Sequence, residues 1–138
     1  MVERKTGFLF PRKLEQGKNA DGLSNVMIDT LMPYKSDVLT ITSDNGIEFA
    51  RHVEIAKKLN AGFYFARPYS SWERGLNEYT NGLIKQYIPK KQTFDNLTDL
   101  ETKEIQMKIN RIPRKKLGYL TPVQVFYRTL SKDVAFSN

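Results

Sequence analysis

Val38-Leu39-Thr40-Ile41-Thr42-Ser43-Asp44-Asn45-Gly46 is the stretch on which the fold turns. Val38 to Thr42 is a β-branched run of the length expected for a buried strand. Asn45-Gly46 tolerates positive φ and forces a turn at its end. A helix is expected next, from about Phe49 to Leu59, with Phe49, Val53 and Ala56 on one face. Asn60-Ala61-Gly62 stops it. Phe63-Tyr64-Phe65-Ala66 then reads as a second strand. Strand, helix, strand in this order points to an α/β layer arrangement.

Working outward, Gly7-Phe8-Leu9-Phe10-Pro11 reads as a strand, entered through a turn at Lys5-Thr6. Pro11 cannot donate to a ladder, so it marks an edge or an end. A helix capped by Asn19 or Asp21 follows, with Leu23, Val26, Met27 and Leu31 on its apolar face and Pro33 at its stop. On the other side, helices are expected from about Trp72 to Tyr87, from Leu97 to Ile112 and from Val123 to Leu130. Ile105, Ile109 and Ile112 line the second of these, and Thr121-Pro122 fits an N-cap before a first-turn proline. The expectation is one domain over residues 1–138, with core strands and helices in 1–90 and helices in 91–138.

The chain has 138 residues, 40% of them hydrophobic and 27% charged, the composition of a globular domain. No apolar run reaches the roughly 20 residues that span a bilayer. Met1 to Thr6 shows no signal-peptide h-region. There are no cysteines, so disulfides and thiolate metal sites are excluded, and one histidine rules against a histidine-rich zinc site. Lys plus Arg number 22 against 15 acids, a net charge of +7 that fits a polyanionic partner or simply a basic cytosolic domain. A cytoplasmic setting is expected.

Asp44 closes a strand pattern, and Glu78 lies in Pro68-Tyr69-Ser70-Ser71-Trp72-Glu73-Arg74-Gly75-Leu76-Asn77-Glu78, near the start of the long helical pattern expected from about Trp72. Carboxylates so placed can converge on hard divalent cations, which take oxygen ligands and complete their shells with water and phosphate. At about 100° per residue, Asn81, Gly82 and Lys85 fall within about 60° of Glu78. Leu76, Tyr79, Leu83, Ile84 and Tyr87 cluster on the opposite side. Gly82, between Glu78 and Lys85 on the polar face, leaves room for a phosphate or sugar. The competing reading is an ordinary solvated helix face, and Asp-Asn-Gly is also common turn chemistry. Trp72 and Tyr69, beside Arg67 and Arg74, can stack on bases or pack the helix on the sheet. Arg111-Ile112-Pro113-Arg114-Lys115-Lys116 is a basic loop, and His52 reads as a surface or packing residue.

Together these motifs resemble the catalytic core of DDE transposases in the retroviral-integrase-like group, closest to the bacterial insertion sequence thirty family. The similar stretches are Thr42-Ser43-Asp44-Asn45-Gly46 with Glu48-Phe49, then Pro68 to Trp72, then Arg74-Gly75, Asn77-Glu78 and Thr80-Asn81-Gly82-Leu83. Gln86-Tyr87, Pro89-Lys90, Pro113-Arg114-Lys115, Leu117-Gly118-Tyr119 and Thr121-Pro122 continue the likeness. The resemblance implies an RNase H-like fold, a mixed five-stranded sheet flanked by helices. It implies that Asp44 is the second catalytic carboxylate and Glu78 the third, holding two Mg²⁺ or Mn²⁺ ions. Water would free a 3′-hydroxyl at a transposon end, and that hydroxyl would attack target DNA. Lys85, Asn81, Trp72, Arg74, Arg114, Lys115 and Lys116 become the candidate DNA contacts, with DNA and a homo-oligomer as partners in a bacterial, nucleoid-associated setting.

Three departures from the pattern stand out. The family's first catalytic Asp, on a preceding strand, has no counterpart here, and Glu3 matches a different position. The family's N-terminal DNA-binding region also has no counterpart, and Ile112 replaces a basic residue. The expectations are an N-terminally truncated core, inactive alone, with unpaired sheet edges that favour self-association. The other class of reading is a non-catalytic DNA-binding or self-associating transposase remnant.

Overall fold

The computed structural model describes residues 1–15, 17, 19–68 and 75–130. They form two compact units. One takes the described residues of Met1–Lys13 and Arg74–Thr129, the other those of Leu14–Glu73 and Leu130–Asn138.

The second unit is built around two parallel strands. Asn19 caps helix α1 (Ala20–Leu31), its side chain accepting from the Gly22 N–H at 2.6 Å. Met27 and Ile28 point into the core, with Leu23 and Leu31 packed beside them. The α-helix ends just ahead of Pro33, as expected, and the chain continues as a 3₁₀ segment, Met32–Asp37, kinked at Tyr34 (φ −111°, ψ 16°). Val38 closes that helix by donating to the Tyr34 and Lys35 carbonyls, so strand β1 begins only at Thr40 and spans Thr40–Ser43. A 3₁₀ turn, Ile47–Phe49, and helix α2 (His52–Leu59) carry the chain to strand β2 (Gly62–Phe65). Parallel strands need such a crossover, and the register runs from Thr40 opposite Gly62 to Ser43 opposite Phe65. Asn60 ends α2 in the left-handed region, φ 50°, as its place in Asn60-Ala61-Gly62 predicts.

The apolar face expected of α2 is corrected. Ile55 and Leu59 are its buried residues, whereas Val53 is 67% exposed. Phe49 does reach the core, but from the 3₁₀ turn ahead of the helix. The turn at Ala50-Arg51 resets the helical phase, so spacing counted from Phe49 fails beyond it. On the outside, Arg51 bridges Asp21 at 2.8 Å and Glu54 at 3.2 Å, linking the starts of α1 and α2.

In the first unit the expected strand at Gly7–Pro11 shrinks to one antiparallel bridge, Val2 opposite Leu9. Its turn is held by Glu3, whose carboxylate accepts from the Lys5 and Thr6 N–H groups, each at 2.7 Å. Gly7 follows at φ +74°, a value that ends regular pairing. Phe8, Leu9 and Phe10 are nevertheless buried. Phe8 stacks on Phe126 of helix α5 (Pro122–Thr129) with centroids 4.2 Å apart. Leu9 joins Leu97, Ile105 and Ile109 in the core, the last two from helix α4 (Asp99–Asn110). Thr98 starts α4 with a reciprocal capping box to Glu101. Leu83, Ile84 and Ile88 cover this core, the first two from helix α3 (Gly75–Tyr87).

The class is therefore α/β. Where the resemblance implies five strands, the described residues show a two-stranded parallel sheet and one isolated bridge.

Candidate functional site

Asp44 stands directly beyond the carboxyl end of β1. The Ala66 N–H donates to the Ser43 carbonyl at 2.7 Å, so pairing to the β2 side continues to the residue before it. The buried Ser43 hydroxyl donates to the Asp44 carbonyl at 2.9 Å and fixes the next peptide. The half-buried Asp44 therefore leaves the sheet where α/β folds place their ligands, outside the carboxyl ends of parallel strands. Glu48 folds back over this turn: a Cβ added at Gly46 would collide with its carboxylate. His52 is a packing residue, with Nδ1 3.0 Å from the Phe49 carbonyl and its ring edge-on to Phe65 at 5.0 Å.

Glu78 lies in the first turn of α3 and is exposed. Asn81, Gly82 and Lys85 are exposed with it, so the polar face read from 3.6-residue spacing is present. Nothing lies within 4 Å of the Cβ position of Gly82, which leaves that face open one turn past Glu78. The opposite face holds a surprise. Its deepest residue is Thr80, 1% exposed, whose hydroxyl is satisfied by the Leu76 carbonyl at 2.8 Å. Tyr79 and Tyr87, expected on the buried side, stay exposed at its borders. Cations cover them there: Arg114 lies 5.5 Å from the Tyr79 ring centroid and Lys108 5.9 Å from that of Tyr87.

The basic loop divides by role. Arg114 is only 8% exposed. Its Nη2 and Nε donate to the carbonyls of Ile109 and Ile112, each at 3.2 Å, which satisfies the C-terminal end of α4. Lys115 and Lys116, in the 3₁₀ turn Lys115–Leu117, are exposed, as is Arg111. Trp72 and Arg74 lie outside the described residues, as does Tyr69.

Asp44 belongs to one unit and Glu78 to the other. Among the described residues, no three His, Cys, Asp or Glu side chains gather as a metal cage. Both candidates are hard oxygen donors. That suits Mg²⁺, which binds through one or two carboxylates and keeps waters and phosphate oxygens for the rest of its shell. No helix among the described residues is long and apolar enough to cross a membrane.

No family model and no solved structure matches the chain. Curated relatives do. The transposase for insertion sequence element IS4351 of Bacteroides fragilis is 48% identical over 137 residues, covering 99% of this chain and 42% of that protein. Transposase InsI for insertion sequence element IS30C of Escherichia coli strain K12 is 35% identical over 129 residues, 93% of this chain and 33% of that one. The transposase for insertion sequence element IS1086 of Cupriavidus metallidurans is 39% identical over 92 residues, 67% of this chain and 27% of that one. The chain spans less than half the length of each of these relatives. Relatedness of this strength, extending over nearly every residue present, means that the chain belongs to the insertion sequence transposases of the IS30 type.

Proposed function

We propose that this chain is part of the catalytic core of a DNA transposase, an RNase H-like domain that cleaves and transfers DNA strands with divalent metal. The observation that carries the reading is Asp44 at the carboxyl end of a parallel strand in a β-α-β unit, in a chain related throughout to transposases. Asp44 and Glu78 are the proposed second and third catalytic carboxylates, and the residues that would hold Mg²⁺ or Mn²⁺. Bound there, the metal would stabilise charge on the attacking and leaving oxygens of a phosphoryl transfer. The chain's own contribution is positioning. Ser43 fixes the peptide that carries Asp44, and α3 presents Glu78 on an open polar face.

Lys85, Lys115 and Lys116 are the proposed phosphate contacts, and Asn81 lies on the same face as Glu78 and Lys85. Arg114 takes a scaffold role in this scheme, since its guanidinium is buried against carbonyls. DNA, as transposon end and target, is the proposed partner, in a cytoplasmic, nucleoid-associated setting. Asp44 and Glu78 by themselves would hold the metals poorly, so the isolated 138-residue polypeptide is proposed to bind DNA without turnover.

The double variant Lys115→Ala/Lys116→Ala tests the DNA reading. Its affinity for duplex DNA should fall several-fold, and the slope of log K against log salt should drop by about 2. Fluorescence anisotropy between 50 and 200 mM salt, concentrations at which phosphate contacts dominate, measures both. An unchanged slope and affinity count against these contacts.

A second reading, a self-associating remnant, is favoured by the sheet. Each of the two strands has one neighbour among the described residues, and open edges invite pairing. Light scattering is expected to show a dimer or larger species, whereas a monodisperse monomer at tens of micromolar on the order used for such work would remove this reading.

A further inference from the structure

Residues 105–130 contain no Asp or Glu and six bases: Lys108, Arg111, Arg114, Lys115, Lys116 and Arg128. Inside this acid-free stretch the chain makes a closed loop. The Arg114 N–H donates to the Leu120 carbonyl at 3.0 Å, and the Tyr119 N–H returns to the Arg114 carbonyl at 2.9 Å. Closing it takes two consecutive left-handed residues, Gly118 at φ +62° and Tyr119 at φ +64°. Glycine adopts that region freely, and Asn and Asp tolerate it, but a bulky aromatic residue there is an outlier. Residues held in such regions cluster at ligand clamps and active sites.

The Tyr119 ring gains little from the fold, because Tyr119 is 70% exposed. A strained backbone thus holds an aromatic ring in water, next to two exposed lysines. The loop is also fixed in place. Its Arg114 lies over the Tyr79 ring of α3. Lys116 Nζ and Leu76 Cδ1 lie 3.9 and 4.0 Å from the Cβ position of Gly7. The loop therefore sits against the first turn of α3, the turn that presents Glu78.

We infer that Tyr119 is a stacking platform for an unpaired nucleotide at a DNA end, with Lys115 and Lys116 neutralising the phosphates that flank it. The inference rests on the DNA reading above. An aromatic face accepts any base, which suits a stacking contact without sequence readout. A base inside an intact duplex is stacked on its neighbours and does not reach the ring; an unpaired one does. The charge of the loop matches the phosphodiester, and the stretch itself carries no carboxylate to repel it.

The test compares two fluorescent duplex probes of equal length, one blunt and one with its terminal pairs mismatched, at the same salt. The proteins are the 138-residue chain and its Tyr119→Gly and Tyr119→Trp variants. Glycine removes the ring while accepting the left-handed backbone, so the turn survives. The wild-type chain should prefer the frayed probe. Tyr119→Gly should lose about tenfold on that probe and less than twofold on the blunt one, with an unchanged or raised melting temperature. Tyr119→Trp should keep the preference. Equal affinities of wild type and Tyr119→Gly for both probes would overturn the stacking role and leave DNA binding intact. A lowered melting temperature in Tyr119→Gly would overturn it too, by showing the ring to be a packing group. If the wild-type chain binds neither probe, the DNA reading falls and the inference falls with it.

Discussion

Asn110→Ala should destabilise the chain by about 2–4 kcal/mol, a large loss for a change of one small side chain. The reason is a pairing across 101 positions of sequence. The Asn110 Oδ1 accepts from the Leu9 N–H at 2.8 Å, and its Nδ2 donates to the Leu9 carbonyl at 3.0 Å. One side-chain amide thus satisfies both backbone groups of Leu9, as a neighbouring strand would. Asn110 is 3% exposed and Leu9 is buried, so water cannot replace the amide. Alanine leaves a donor and an acceptor without partners, and each unsatisfied buried group costs roughly 1–3 kcal/mol. Asn110→Asp should be at least as harmful, because a carboxylate has no hydrogen for the Leu9 carbonyl and its charge is costly to bury. Urea unfolding provides the measurement: a lower midpoint at unchanged m-value is expected. A loss below about 0.5 kcal/mol, the level of an ordinary surface change, would mean that Leu9 has other partners.

Such a contact could not be read from the chain. Asn110 lies inside the helical pattern expected from Leu97 to Ile112, and nothing local points to a residue near the other terminus. Arg114 was hidden for a related reason. In Arg111-Ile112-Pro113-Arg114-Lys115-Lys116 every base looks alike, and only the turn that follows α4 decides which one faces its last carbonyls. Local chemistry, by contrast, was legible. Asn19 as a cap, Asn60 as a stop and Thr121 ahead of Pro122 each stand where backbone sterics and orphan N–H groups put them. The Thr121 hydroxyl accepts from the Gln124 N–H at 3.3 Å, as an N-cap should.

The candidate site divides along the same line. Asp44 at a strand end and Glu78 on an exposed helical face follow from period and turn chemistry, and both are observed. Thr80 replaces tyrosine at the centre of the buried face because a threonine whose hydroxyl bonds the i−4 carbonyl buries at little cost. Tyrosines at the border keep their polar ends in water. Hydrophobic spacing identifies the side of a helix that is buried; it does not say which residue lies deepest.

On the proposed reading, metal binding requires both Asp44 and Glu78. Each is a single carboxylate, each sits in a different unit, and no cage of three acids or histidines surrounds either among the described residues. One carboxylate alone holds Mg²⁺ or Mn²⁺ weakly, since these ions give up water reluctantly. If the two act together, removing either should abolish the site rather than halve it. If they do not, each loss should be local. The most direct measurement is paramagnetic broadening in the ¹⁵N–¹H spectrum of the 138-residue chain under substoichiometric Mn²⁺, which reports even weak binding residue by residue. The expected result is simultaneous loss of the signals of Ser43 to Gly46 and of Asn77 to Gly82, with both sets restored in Asp44→Ala and in Glu78→Ala. Broadening of one set alone, or broadening that persists in either variant, would contradict a shared metal site.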